Sequence, residues 1–347
     1  MTTHSDNHPQ DLALDLPATG TWPKAGYLLD GRSQDAIALA VACGRPLLVR
    51  GLPGTGKSDL ARAAAEHLNR AFIYEVVTAR TEPQDLLWRF DAIARLADAQ
   101  AMGAGCKTTA NPANPMHYVS PGVLWWAINW GSAETHIADK PSLNFAQRPD
   151  KTLTKRTGIV AQEHLAEQNG CVLLLDEIDK ADAELPNSLL EVLANTGFRL
   201  PWDGDNEIKA EQNPPPLIII TTNEDRELPP AFVRRCLVLN IEPSAGEEFV
   251  DWIKQRARVH FRDPDIDVDP AYAGKPALAQ SVLNQAAVSL MEYRNSPHGD
   301  THKPGLAEYL DLLRGLYGLA KDNEGEQLAW LGRVARFAYT KHASPKF

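Results

Sequence analysis

The chain has 347 residues, 44% of them hydrophobic and 23% charged, with a formal net charge of −10. That size allows one large or two modest domains with a real hydrophobic core, and the composition is that of an ordinary globular protein. The acidic balance argues mildly against a duplex-coating protein, although a locally basic groove stays open, and no run approaches the ~18 apolar residues that span a membrane.

Residues 1–24 are polar and bear prolines, with neither a basic start nor an apolar stretch. They are expected to form a flexible arm and not a secretion signal, so a cytoplasmic protein is the default. The four cysteines, Cys43, Cys106, Cys171 and Cys236, form no CxxC pair and read as free thiols of a reducing compartment. "YLLDGRSQDAIALAVAC", residues 27–43, predicts a turn and an amphipathic helix stopped by Gly44. "PLLV" predicts a short buried strand. Leu60, Ala63, Ala64 and Leu68 recur at helical spacing and predict a helix over 57–69. "AFIYEVVTA" predicts a second strand, and residues 84–102 a further helix. "GAGCKTTANPANP", residues 103–115, reads as a loop. Residues 131–160 are polar and carry Lys140, Arg148, Lys151, Lys155 and Arg156. Between these two stretches, "LWWAINW" reads as core; an exposed tryptophan patch would instead mark a binding surface.

"CVLLLDE", residues 171–177, suits a central parallel strand covered on both faces. "ELPNSLLEVLANTG" predicts a helix ended by Gly197, and "FRLPWDGDNEIKA" a hairpin turning at Asp203-Gly204. "PLIIITTN" and "CLVLNIEP" predict two more buried strands. Beyond Ser244 the chain turns helical and more charged, as a smaller second domain would. Strands alternating with helices predict an α/β fold with a mostly parallel, five-stranded sheet, with ligands at the carboxyl ends of its strands.

Three motifs fall at such ends. Gly51-Leu52-Pro53-Gly54-Thr55-Gly56-Lys57-Ser58 fits G-x-x-x-x-G-K-[ST] in full, between a strand and a helix. Its glycines let backbone N–H groups turn inward around phosphates, and the helix N-terminus adds its positive dipole end. Lys57 can reach the β- and γ-phosphates of a nucleotide, Ser58 can ligate Mg²⁺, and Asp59 is grouped with the loop as a nucleotide contact. In "VLLLDEID", Asp176 suits a Mg²⁺ contact and Glu177 suits polarising an attacking water, while Asp179 reads as a helix cap. In "IIIITTNEDRELPPAFVRRC", Asn223 ends a strand, where its amide can touch a γ-phosphate or orient the water. Arg234 and Arg235 follow at a helix end. An arginine pair is usually a solvated face, but this order suggests an arginine finger offered to a neighbouring subunit.

A phosphate loop, an apolar-DE strand, an apolar-TTN strand and a following Arg pair resemble an AAA+ ATPase core. "LPPAFVRRC" resembles the "LP-x-A-xx-x-RF" tract of the MoxR-like family, although Cys236 stands where that family has Phe. "ARTEPQDLLWRFDA" resembles the family's segment after the second strand, and "HKPGLAEYLDLLRGL" its lid-domain helix. The likeness covers roughly residues 25–320. It implies a P-loop core over 25–243 with an insertion around 103–165, and an all-helical lid over 244–347. It implies that Asn223 is sensor 1, that Arg235 is the finger with Arg234 beside it, and that Lys303 or Arg294 is the sensor 2 residue. A homo-oligomeric ring, expected to be a hexamer, is implied too, with a protein client and a partner bearing a von Willebrand factor A domain. "TTNEDR" also resembles the "NTADR" tract of McrB-type NTPases, which use GTP. That likeness keeps a nucleic-acid motor of a restriction system as the alternative, beside a nucleotide-gated scaffold. A small-molecule kinase fits less well, because it has less need of Glu177 and Asn223.

Overall fold

The computed structural model describes residues 9–20, 22–108, 110–138, 165–204, 206–210, 214–241, 247–262, 264, 274–295 and 303–339. The first eight residues, most of the polar stretch 131–160, and the expected boundary at 243 and 244 lie outside them.

Strands β1 (Leu12–Leu16) and β2 (Ala25–Leu29) form an antiparallel hairpin. This corrects the expectation of a flexible arm from residue 12 on. "LALDL" alternates, so Leu12, Leu14 and Leu16 share one face, and that face packs into the core with Leu16 fully buried. Helix α1 (Gly31–Cys43) starts at Asp30, whose side chain accepts from the Ser33 N–H at 2.8 Å, and stops at Gly44, where φ is 60°. The other Asp30 oxygen pairs with Arg256 at 2.7 Å. Asp30→Ala removes both the cap and the partner of a nearly buried guanidinium. It is expected to cost about 1–3 kcal/mol in thermal or urea unfolding. An unchanged unfolding midpoint would contradict that double role.

Strand β3 (Leu47–Arg50), helix α2 (Lys57–Leu68) and strand β4 (Ala71–Val76) follow as expected. Residues 84–102 are not one helix. Helix α3 (Pro83–Leu87) and helix α4 (Ala92–Gly103) are separated by strand β5 (Trp88–Phe90), which pairs antiparallel with β6 (Val119–Pro121). Trp88 meets Trp202 edge-on at 4.9 Å and Phe90 stacks on it at 4.7 Å. These partners are distant in sequence, and they override the local helical pattern. Helices α5 (Val123–Ile128) and α6 (Trp130–Ala138) bury Trp125, Trp126 and Trp130, so the tryptophan tract is core.

Helix α7 (Leu165–Asn169) leads into β7 (Cys171–Asp176), and helix α8 (Glu184–Asn195) follows. Thr196, at φ 48°, ends α8, while Gly197 already opens β8 (Gly197–Arg199), which pairs with β9 (Glu207–Lys209) in the expected hairpin. Strand β10 (Leu217–Thr222), the short helix α9 (Pro230–Val233) and strand β11 (Leu237–Asn240) complete the core. The C-terminal region is helical: α10 (Glu247–Arg258), α11 (Gln280–Asn295), α12 (Leu306–Ala320) and α13 (Glu324–Tyr339). These four helices enclose their own apolar cluster around Ile253, Leu283, Leu290, Leu313 and Leu316.

The main sheet has the order β11-β3-β10-β7-β4, and all its pairings are parallel. The fold is therefore α/β with a five-stranded parallel sheet and a helical C-terminal region. Strands β7 and β10 are buried at every position, because both of their faces are covered. Leu47, Val49, Val172, Leu174 and Ile219 pack toward α1, α2 and the hairpin. Leu48, Leu173, Leu175, Ile218 and Ile220 pack toward α5 and α8. The carboxyl ends of β3, β7 and β10 are thereby held side by side, and each ends on one of the three motifs.

Candidate functional site

The loop after β3 needs its glycines. Gly51, Gly54 and Gly56 have φ of 153°, 75° and 89°, values that side chains other than hydrogen rarely allow. A Cβ on Gly51 would lie 2.5 Å from the Ile241 carbonyl oxygen, and one on Gly54 would lie 2.8 Å from Ala307 Cβ on α12. The loop therefore fits tightly between the sheet and the helical region.

Lys57 opens α2 and is 7% exposed. Its Nζ donates to the carbonyls of Gly51 at 2.7 Å and Leu52 at 2.9 Å. Burial pulls its ammonium below the ordinary lysine range, while the carboxylates of Asp176, Asp179, Glu177 and Asp225 pull it back up. Two carbonyl dipoles hold this cation in place without neutralising it, so a phosphate oxygen suits its remaining donor capacity. Ser58 donates to both oxygens of Asp176, at 2.8 and 2.9 Å. This pair brings hard oxygen donors together, and Mg²⁺ is typically bound by one or two such protein groups together with substrate phosphates.

Asp176 is also held from behind. The Thr221 hydroxyl donates to its Oδ1 at 2.6 Å and accepts the Glu177 N–H at 2.8 Å. Thr221 is fully buried, and it fixes the two neighbouring acidic residues with one oxygen. Thr221→Val keeps the shape, removes the donor and leaves the Glu177 N–H unpaired. It is expected to cost about 1–3 kcal/mol in urea unfolding; a loss below about 0.5 kcal/mol would mean that the hydroxyl is not the brace.

Glu177 sits at φ 59°, in the left-handed region, and its Oε1 accepts from Asn223 Nδ2 at 3.0 Å. Asp179 does not cap a helix, contrary to the sequence reading. Its Oδ2 accepts the N–H groups of Asn223 at 3.2 Å and Asp225 at 2.9 Å, so it ties the end of β10 to the end of β7.

These groups line one side of a cavity of about 490 Å³, a volume suited to a ligand of nucleotide size. Residues Pro53 to Asp59 line it, with Asp176, Glu177 and Asn223. Gly51 and Leu52 do not line it and act through their carbonyls on Lys57. Asp59 lines it while pairing with Arg62 at 2.7 Å, and Arg62 also holds the carbonyls of Pro17 and Pro23. The wall beyond comes from the hairpin, including Trp22 and Tyr27, and from Val259 and His260. Burial, with Arg314 and Lys275 nearby, lowers the His260 pKa to about 4, so its ring is neutral at physiological pH. The sequence reading missed the whole of this wall.

The helical region supplies Leu306, Ala307, Leu310, Asp311 and Arg314. Neither candidate for the basic lid residue reaches the cavity. Arg294 lies over the Phe249 ring at 4.3 Å and donates to the Pro304 carbonyl, and Lys303 is exposed outside the cavity. Arg314 stands there instead, paired with Asp311 at 3.0 Å. The spacing of 307, 310, 311 and 314 places them on one helical face, a signal already present in the tract.

Arg234 and Arg235 are exposed, lie outside the cavity, and have no ion-pair partner among the described residues. Arg235 makes one side-chain hydrogen bond, from Nη1 to the Ala231 carbonyl at 3.3 Å. Among the described residues no helix is long and apolar enough to cross a membrane.

A family model described as the AAA domain, dynein-related subfamily, matches residues 46–236. The chain is also similar to a solved structure from Cytophaga hutchinsonii that is provisionally described as an ATPase. Identity is 13%, coverage 88% of this chain and 78% of the other, and the TM-score 0.35. A second similar structure is the RuvB Holliday junction branch migration motor of Thermotoga maritima, with 12% identity, 87% and 67% coverage, and a TM-score of 0.41. No curated protein sequence matches.

Proposed function

The chain belongs to the AAA domain family, dynein-related subfamily, and on that premise we propose that it is a cytoplasmic, MoxR-like, ring-forming ATPase that remodels or matures a protein client. The observation that carries this reading is a divided site. One chain gathers Lys57, Ser58, Asp176, Glu177 and Asn223 around one cavity, yet its two exposed arginines point their chemistry elsewhere. The cations that line the cavity, Lys57, Arg62, Arg256 and Arg314, are each hydrogen-bonded or ion-paired within the chain, so two exposed arginines without an ion-pair partner among the described residues suit the site of a neighbouring copy.

In this reading Lys57 and the loop N–H groups hold the phosphates of ATP. Ser58 and Asp176 would hold Mg²⁺, which supplies charge neutralisation on those phosphates. Glu177, with its carboxylate steered by Asn223, accepts the proton of the attacking water. Arg235 with Arg234 reaches the site of the next subunit. Arg314 takes the role first given to Lys303 or Arg294, reporting the nucleotide to the helical region from residue 244. A shift of that region relative to the core then transmits work to the client, with the segment around 103–165 or a von Willebrand factor A partner as the contact.

Steady-state hydrolysis of ATP and GTP tests the assignment. ATP is expected to be favoured in kcat/KM by about tenfold or more, a margin of roughly 1.4 kcal/mol. Preference for GTP would move the protein to the McrB-type reading.

A further inference from the structure

Arg45 is not part of the cavity, yet it makes an unusual set of contacts. Gly44, at φ 60°, turns the chain out of α1, and the Arg45 N–H closes that turn on the Ala40 carbonyl at 3.2 Å. The side chain then reaches residues almost two hundred positions away. Its Nε donates to the Arg235 carbonyl at 3.1 Å, and one Nη donates to the carbonyls of Arg234 at 2.5 Å and Cys236 at 3.3 Å. These carbonyls follow the last turn of α9, where no further helical N–H is available to satisfy them. The planar fork of a guanidinium can span all three, and the single ammonium of lysine cannot.

We propose that Arg45 is a positioning residue for the exposed arginine pair, and so sets how well one subunit completes its neighbour's nucleotide site. The inference rests on the in-trans reading of Arg234 and Arg235. The backbone at 234–236 decides where those two side chains leave the surface. Outside Arg45, the hydrogen bonds of that turn among the described residues are local: its N–H groups donate to the carbonyls of Pro230, Phe232 and Val233, Arg235 Nη1 to that of Ala231, and the Cys236 thiol to that of Phe232. Those bonds are enough to keep the turn folded without Arg45 and leave its orientation looser. Just beyond, the Leu237 N–H donates to the Pro46 carbonyl at 2.8 Å, so β3 and β11 remain paired without the side chain.

The test uses the full-length protein with Arg45→Ala, Arg45→Lys, Arg235→Ala and Glu177→Gln, alone and in equimolar mixtures. Arg45→Ala is expected to lower kcat about 10- to 100-fold, the scale of a misplaced catalytic group. Its KM for ATP should stay within about twofold, because binding is not what it changes. Arg45→Lys is expected to fall between the wild type and Arg45→Ala. Mixing decides between positioning and misfolding. Arg45→Ala subunits keep Glu177, and Glu177→Gln subunits keep a well-placed finger, so their mixture should hydrolyse ATP several-fold faster than the sum of the two alone. The mixture of Arg235→Ala with Glu177→Gln should do the same. If that second mixture recovers and the Arg45→Ala mixture does not, Arg45 does not act through the finger and the inference is wrong. If Arg235→Ala alone hydrolyses ATP normally, the in-trans reading itself fails and takes the inference with it.

Discussion

Glu177→Gln is expected to lower ATP turnover by about 10²–10⁴-fold while leaving nucleotide binding intact. The amide is nearly isosteric with the carboxylate and can still accept from Asn223 Nδ2, which now holds Glu177 Oε1 at 3.0 Å. It cannot accept a proton. The backbone of residue 177 is fixed by the Thr221 hydroxyl and by a left-handed turn at φ 59°, so the substitution should not move the chain. Lys57, Ser58 and Asp176, which are assigned to binding, are untouched. A fluorescent nucleotide should therefore bind with nearly the wild-type Kd while single-turnover hydrolysis stalls. Turnover within about fivefold of the wild type, a deficit of only ~1 kcal/mol, would assign the proton to another group.

Arg235→Ala is expected to cost about 10³-fold or more in kcat at protein concentrations that favour assembly, the range seen for arginine fingers. Its affinity for nucleotide should hardly change, since Arg235 lies outside the cavity of its own chain. Arg234→Ala should cost less. The two residues share the turn held by Arg45, but they leave it in succession, and only one can lead into the neighbouring site. Charge alone does not explain the expected effect. If Arg235→Lys restored full turnover, a diffuse basic surface would suffice and the finger would be unnecessary.

The phosphate loop was legible because all of its requirements are local. One contiguous tract carries the glycines, the lysine and the serine, and their conformational demands follow from the residue types. The buried strands ending at Asp176 and Thr222 were legible because both of their faces are covered, which writes an unbroken apolar run. The hairpin over 197–209 was announced by Asp203-Gly204. Other parts depend on distant partners. β1 is five residues long, and its alternation is too brief to stand out until α2 packs against it and α10 against its partner β2. β5 looked helical because its strand partner β6 lies thirty residues on. Which basic residue of the helical region lines the cavity was hidden for the same kind of reason. Arg294, Lys303 and Arg314 are equally plausible by type, and the approach of Ala307 to Gly54 shows which face of α12 meets the loop. Thr221 was overlooked, and Asp179 was taken for a helix cap, because a buried polar residue that braces others carries no pattern of its own.

In the in-trans reading a complete active site needs two copies of the chain. The decisive experiment follows ATP turnover per subunit against total protein concentration. Turnover per subunit is expected to be low at dilution, to rise steeply as copies associate, and to level off once rings are complete. Turnover per subunit that stays constant while light scattering reports a change from monomers to assemblies would contradict it. The protein would then hydrolyse ATP as a monomer, with Arg234 and Arg235 as part of an ordinary solvated surface.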